Sequence, residues 1–116
     1  MVVTATGSAV AASVNQLKLY LDDGNGLFSP TLDTALTSGL SFTAKRATFN
    51  LVAVGNSQSL SPSTKTFFVA WNVSLSATNN ADIGVLVAST ADLVLAGASD
   101  SVSPAAFPLA SGTAPI

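Results

Sequence analysis

Short segments in which apolar and polar residues alternate are the feature that most constrains the fold of this chain. In the clearest of them, residues 67–75, every odd position is apolar, whereas Asn72 and Ser74 stand at even positions. Successive side chains of a β-strand point to opposite faces of the sheet, so this period of two predicts a strand with one apolar face. Trp71 lies in the middle of that face, and we expect it to anchor the core between two sheets.

The same alternation recurs elsewhere, separated by turn-forming Gly, Asn, Asp, Ser and Pro. Leu17, Leu19 and Leu21 share one face of residues 15–21. Further strands are expected at 2–6, 10–14, 40–43, 48–54, 83–87, 93–96 and 107–109. Many short strands with frequent turns are typical of two packed antiparallel sheets. The sequence therefore predicts an all-β fold, an antiparallel β-sandwich.

One segment has a competing interpretation. Residues 81–98 are rich in Ala, Leu and Val, and a helix beginning near Asn80 would suit that composition. Gly84 and the β-branched residues Ile83 and Val85 disfavour a helix, and their alternation favours a strand.

Length and reactive side chains bound the function. A chain of 116 residues predicts a single domain, residues 1–116, and 48% hydrophobic residues exclude a disordered chain. The chain has no His, no Cys and no Glu. The usual general base, zinc ligands and covalent nucleophile are therefore missing together. We expect no enzymatic activity and no cofactor.

Charge and hydropathy narrow the partners and the compartment. A net charge of −2 provides no basic surface for nucleic acid. No apolar run approaches the roughly 18 residues of a membrane-spanning helix, so we expect no direct membrane span. The N-terminal residues Met1-Val2-Val3 lack a basic leader. We expect that a leader was removed or that Met1 marks a cloning boundary, rather than synthesis and retention in the cytosol.

A turn motif carries a resemblance to a known family. Residues 17–28 read LKLYLDDGNGLF, in which Gly24 and Gly26 can adopt positive φ and reverse the chain. This segment resembles the "LYxDDGNGxF" turn of a repeat found in large secreted bacterial surface proteins. Asp33, the stretch 38–42 and the segment 47–49 are similar to the Asp, the Gly-led strand and the "ATF" strand that follow it there.

The resemblance continues to the end of the chain. Residues 66–73 are similar to the repeat's "ffVvwdVS" strand, residues 77–83 to its "A-x-x-G/N-D-x-I" turn, and residues 107–116 to its closing "fPxxSGtaxI" strand. The resemblance implies a structural, Ig-like module in an extracellular array.

The N-terminal region departs from that family pattern. About sixteen residues precede Leu17, where the repeats have further strands, so we expect a sandwich that lacks one strand. An unpaired edge invites a strand from another chain. The expected assembly edge consists of Val2, Val3, Val10 and Val14.

Three further groups of residues are candidates for binding. Asp22, Asp23 and Asn25 offer oxygen ligands for calcium. Their spacing does not fit an EF-hand loop, and we expect a structural turn with at most weak calcium affinity. The basic pair at residues 45–46 is expected at a strand edge or in a solvated loop. We expect Phe68, on the face opposite Trp71, to be covered by a loop or a partner.

These observations favour a structural module: a repeat of an extracellular or cell-surface protein, or the globular subunit of a pilus-like filament. Its partners would be other subunits or neighbouring repeats, or a small helical chain as in a split pilin. Two alternatives remain open, a module that binds carbohydrate or a host surface, and a decoration protein of a phage capsid or tail.

Overall fold

The computed structural model describes residues 1–60, 63–97, 99–103 and 106–116. Its strands are β1 (Val2–Thr6), β2 (Val14–Leu21), β3 (Thr34–Ala35), β4 (Arg46–Thr48), β5 (Phe67–Val73), β6 (Asp82–Val87), β7 (Leu109–Ala110) and β8 (Ala114–Pro115). Two short 3-10 turns, Ala11–Ser13 and Thr90–Asp92, are the only helical segments in the described ranges, which confirms the all-β prediction. None of the described residues belongs to a helix that is long and apolar enough to cross a membrane.

The strands form two antiparallel sheets. In the larger sheet the order is β4-β1-β6-β7, with β8 also paired to β6, and in the smaller sheet it is β3-β2-β5. Every strand pair is antiparallel. The predicted antiparallel β-sandwich is therefore confirmed.

The core lies between the sheets and uses the faces that alternation predicts. Leu17 and Leu19 of β2 are buried, and Leu21 packs against the same cluster. β1 contributes Val3 and β6 contributes Ile83. The largest fully buried side chain is Phe49, which directly follows β4.

Trp71 does not occupy the central place expected of it. Its side chain is only partly buried and packs against the core cluster from outside. The reason is its strand: β5 has a neighbour, β2, along one edge only, so a residue on β5 is covered on fewer sides than one on β2. Phe49 and Leu17, 1% and 0% exposed, take the anchoring role instead.

Several segments predicted as strands are turns. Residues 10–14 contain the 3-10 turn Ala11–Ser13, and residues 93–96 contain no strand. Residues 40–43 make only isolated bridges, at Leu40 and Thr43. The strand predicted at 48–54 ends at Thr48, because the Asn50 side chain accepts a hydrogen bond from the Ala53 amide at 3.0 Å and turns the chain.

In residues 81–98 the strand interpretation is confirmed by β6, which pairs with β1 on one side. The described part of this segment continues through the 3-10 turn at Thr90–Asp92 and holds no α-helix. Ala98 lies outside the described residues.

The expected assembly edge at the N-terminus is wrong. β1 has two neighbours, since Val2 and Val3 pair with β4 and its C-terminal half pairs with β6. Val14 pairs with Val73 within the smaller sheet. Val10 is exposed but lies outside any strand. The N-terminal segment thus supplies one interior strand of the larger sheet and leads into the central strand of the smaller one.

Candidate functional site

The loop that follows β2 gathers the acidic residues of the turn motif. Carboxylate oxygens of Asp22, Asp23 and Asp33 all lie within 4.8 Å of one another. Gly24 and Gly26 adopt φ of +107° and +75°, which lets the chain fold back toward Asp33. Asp33 is the member of this cluster that sequence reasoning did not name as a ligand candidate, because it stands ten residues beyond Asp23.

The carboxylates of this cluster accept hydrogen bonds from backbone amides of the same loop. Asp33 accepts hydrogen bonds from the amides of Asp23 at 3.1 Å and Ser29 at 2.8 Å. Asp22 accepts from Gly26, and Asp23 accepts from Asn25. The Asn25 side-chain oxygen, in turn, accepts from the Leu27 amide at 2.7 Å. Each of these side chains therefore accepts a hydrogen bond from a turn amide. The loop is stabilised by hydrogen bonds among its own residues.

The same loop covers the outer face of the smaller sheet. The Phe28 ring meets the Tyr20 ring edge-on, with centroids 5.2 Å apart. It also meets Phe68 at 5.6 Å, which confirms that Phe68 is covered by a loop. Edge-to-face contacts of this kind add stability beyond burial alone. The hydrogen-bonded loop thus positions an aromatic cap on the sheet.

The edge of the larger sheet at β4 is short, carries an ion pair and is preceded by a tight turn. Arg46 Nη2 lies 2.9 Å from Asp92 Oδ1, and Asp92 is buried. The preceding residues Ala44 and Lys45 adopt positive φ and form a tight, exposed turn, as expected for the basic pair. β4 itself has only three residues.

The Met1 α-amino group lies next to this edge. It donates a hydrogen bond to the Phe49 carbonyl oxygen at 2.9 Å. Burial lowers the pKa of this amino group, and the negative charge of Asp92 opposes that shift in part. The charged amine is thus held close to the core at a cost in solvation.

The edge at β5 is different, because no second strand among the described residues pairs with its seven residues. The Thr66 carbonyl accepts from Asp22 and the Ser74 amide donates to Ser13, so even-numbered residues direct their backbone groups toward β2. Alternation along the strand then directs the backbone groups of the odd-numbered residues away from β2. We call these the outward amides: Phe67, Val69, Trp71 and Val73.

An apolar cleft opens between β5 and the facing strands of the larger sheet. Its volume is about 270 Å³, and its lining includes Val3, Phe67, Val69, Trp71, Val87 and Leu109. Ser111 is the one polar residue that also lines it, and no charged residue does. Two apolar side chains near the end of β5, Val73 and Leu75, are exposed.

The predicted site residues therefore separate into three places. Asp22, Asp23 and Asn25 lie together in the acidic loop. Val2, Val3 and Val14 belong to interior strands, and Trp71 lines the cleft beside the open edge. Sequence reasoning expected an open edge but assigned it to the wrong strand. Charge offered no distinguishing signal, because residues 2–6 and residues 67–73 both lack charged residues.

No protein family, curated protein or solved structure matches this chain.

Proposed function

We propose that this chain is a non-enzymatic structural module that assembles with further copies of itself through the edge of β5. The observation that carries the proposal is the unpaired seven-residue edge beside an apolar cleft. The other edge strands in the described residues, β3, β4, β7 and β8, have two or three residues each. Very short edge strands are a common protection against unwanted pairing, and β5 lacks that protection.

Pairing of a further strand with β5 would provide hydrogen-bond acceptors for the outward amides and apolar side chains for the cleft. A second strand along β5 receives hydrogen bonds from the outward amides, and its side chains can enter the cleft lined by Trp71 and Val69. Main-chain hydrogen bonds supply affinity in such pairings, and the pockets for alternate side chains supply specificity.

The charge pattern supports a second copy as the partner strand. No residue of β5 is charged, so two copies can lie side by side without like charges in contact. In an antiparallel pair centred on Ala70, Phe67 of one copy faces Val73 of the other. The two Lys65 residues then lie at opposite ends of the pair, roughly 20 Å or more apart by strand geometry and beyond the Debye length.

An extracellular or cell-surface location is part of the proposal, as is the Ig-like repeat that the turn motif resembles. It rests on the resemblance of residues 17–28 to the turn of those repeats. A catalytic role is not proposed, because the chain has no His, Cys or Glu. In addition, the clustered carboxylates are occupied by backbone amides.

Sedimentation of the purified chain over a range of concentrations tests the proposal. We expect a concentration-dependent rise in mass, since the edge is shared by identical partners. Replacing Val73, 44% exposed at the end of β5, by Lys should lower self-association by placing two charges at the interface. The matched control is Val52→Lys, a residue 66% exposed in a distant turn.

A chain that stays monomeric at the highest concentrations contradicts the proposal. So does an oligomer in which Val52→Lys weakens association as much as Val73→Lys. A specific complex should bury on the order of 1,000 Å² or more, and a smaller contact would not support a biological assembly.

A further inference from the structure

A backbone irregularity marks the outer face of the smaller sheet. β2 contains a β-bulge between Asn15 and Lys18, and within it Gln16 adopts φ of +54°. A positive φ is unusual for a residue other than glycine. Bulges redirect side chains and are enriched beside functional sites, as are strained backbone conformations.

The Gln16 side chain has a defined place beside the bulge. A Cβ atom built on Gly39 would collide with Oε1 and Cδ of Gln16. The absence of a side chain at Gly39 therefore allows the Gln16 amide to lie directly against the backbone. Contact with backbone restricts the amide to few positions, which is the condition for a preorganised binding group.

This amide borders a depression of about 160 Å³ on the outer face. The depression is also lined by Lys18, Tyr20, Phe28, Pro30, Trp71 and Asn72. A space of this size holds several water molecules. It is large enough for one small ring and too small for a folded peptide.

The polar groups of the depression have no partners within the described residues. The one ion pair there joins Arg46 and Asp92, so Lys18 has no acidic partner. Within the described residues, the side chains of Gln16 and Asn72 form no hydrogen bond. None of the lining residues is acidic. The depression thus combines two free amides and one free ammonium group with aromatic surface.

We propose that the depression binds a sugar ring that carries a carboxylate, as in the uronic acid residues of acidic polysaccharides. The apolar face of the ring lies against the aromatic residues, Phe28 in particular. The amides of Gln16 and Asn72 each offer a donor and an acceptor, which suits neighbouring sugar hydroxyls. The Lys18 ammonium binds the carboxylate through a charge-assisted hydrogen bond. This activity goes beyond the assembly proposed above and does not depend on it.

Titration of the full chain with a galacturonic acid trisaccharide tests this inference. Isothermal titration calorimetry reports binding without depending on Trp71, which lines the apolar cleft as well as the depression. Lys18→Met should weaken binding about tenfold, since it removes a charge-assisted bond and retains the aliphatic stem. Lys18→Arg should retain most of the affinity, and Lys45→Met, in an exposed turn, is the matched control and should bind like the unaltered chain.

Two further variants test the preorganised amides. Asn72→Ala removes one amide without altering the bulge. Gly39→Ala crowds the Gln16 side chain and also its Cα, so it displaces the amide and disturbs the bulge. Both should weaken binding of the trisaccharide, and amide NMR spectra of each variant establish that it remains folded.

Several results would overturn the inference. One is the absence of saturable heat of binding with the trisaccharide. Another is equal binding of the neutral galactose trisaccharide, which would exclude recognition of a carboxylate. Competition by inorganic phosphate at matched affinity would identify a simple anion site. Unchanged binding by a folded Lys18→Met variant would also contradict the proposal.

Discussion

The edges formed by β4 and β5 differ in length, charge and covering. β4 has three residues, and its Arg46 pairs with the buried Asp92. β5 has seven residues without a charge, and an apolar cleft lies beside it. Both strands border a sheet of the same sandwich, so the difference between them cannot be attributed to the fold class.

The comparison shows how one domain can protect one edge and leave another available. A short strand with a charged side chain discourages pairing with other chains. A long neutral strand beside exposed apolar residues such as Val73 and Leu75 favours it. We infer that the smaller sheet carries the assembly surface, while the edge at β4 contributes to stability.

The largest effect that separates the two edges should come from their aromatic residues. Phe49→Ala, beside β4, should lower the free energy of unfolding by about 3–5 kcal/mol, because it leaves a cavity in the core. Trp71→Ala should cost less, since Trp71 is only partly buried at the open edge. Denaturant unfolding of both variants measures the difference. A larger loss for Trp71→Ala would restore Trp71 as the core anchor and contradict the comparison.

A smaller effect is expected from the ion pair at β4. Arg46→Met should lower the free energy of unfolding by about 1 kcal/mol, because Arg46 is largely exposed but its removal takes the ion-pair partner from the buried Asp92. Asp92 keeps its hydrogen bond from the Ser89 amide, which limits the loss. Lys45→Met is the control and should have almost no effect. Equal unfolding free energies for all three chains would show that charge does not stabilise this edge.

The pH dependence near this edge should be smaller still. The pKa of the Met1 amino group is lowered from 8.0 in the folded chain, so the unfolded chain binds more protons between the folded pKa and 8.0. Stability should therefore rise as pH increases through that window and fall as pH decreases through the folded pKa. Unfolding experiments across the window measure this slope. Acetylation of the amine should abolish it, and a slope that survives acetylation would assign it to another group.

The acidic loop beside the smaller sheet should show no effect of calcium. Asp22, Asp23 and Asp33 already accept backbone amides, so millimolar calcium should leave the melting temperature unchanged. A cation that binds only the folded chain must raise it. Thermal unfolding with and without calcium is the measurement, and magnesium at equal ionic strength is the control. A rise of several degrees specific to calcium would identify a metal site.

Local pattern was sufficient for the strands whose burial follows a period of two. Leu17 and Leu19 were predicted on one buried face, and Gly24 and Gly26 were predicted to reverse the chain; both predictions are confirmed. The strand at 48–54 was wrong because a single side-chain cap at Asn50 outweighs the alternation beyond it. Alternation indicates which face of a strand is buried. It does not indicate where a side-chain hydrogen bond ends the strand.

Local sequence pattern could not predict which strands are neighbours in the sheets. Alternation in β1 and in β5 looks alike, yet β1 has a strand on each side and β5 has one. Trp71 and the predicted assembly edge were misplaced for this reason. Asp33 joins Asp22 only after the loop folds, and the Gln16 side chain occupies space that is open only because residue 39 is glycine. Such long-range contacts depend on the completed topology.

Amide hydrogen exchange of β5, measured at low and high protein concentration, tests the assembly claim most directly. In dilute solution the outward amides should exchange rapidly, because no strand covers them, whereas even-numbered amides such as Ala70 are protected by β2. At high concentration the outward amides should become protected, while the exchange of the even-numbered amides stays slow. Outward amides that exchange at the same rate at every concentration, or that are already protected in the dilute monomer, would contradict the account.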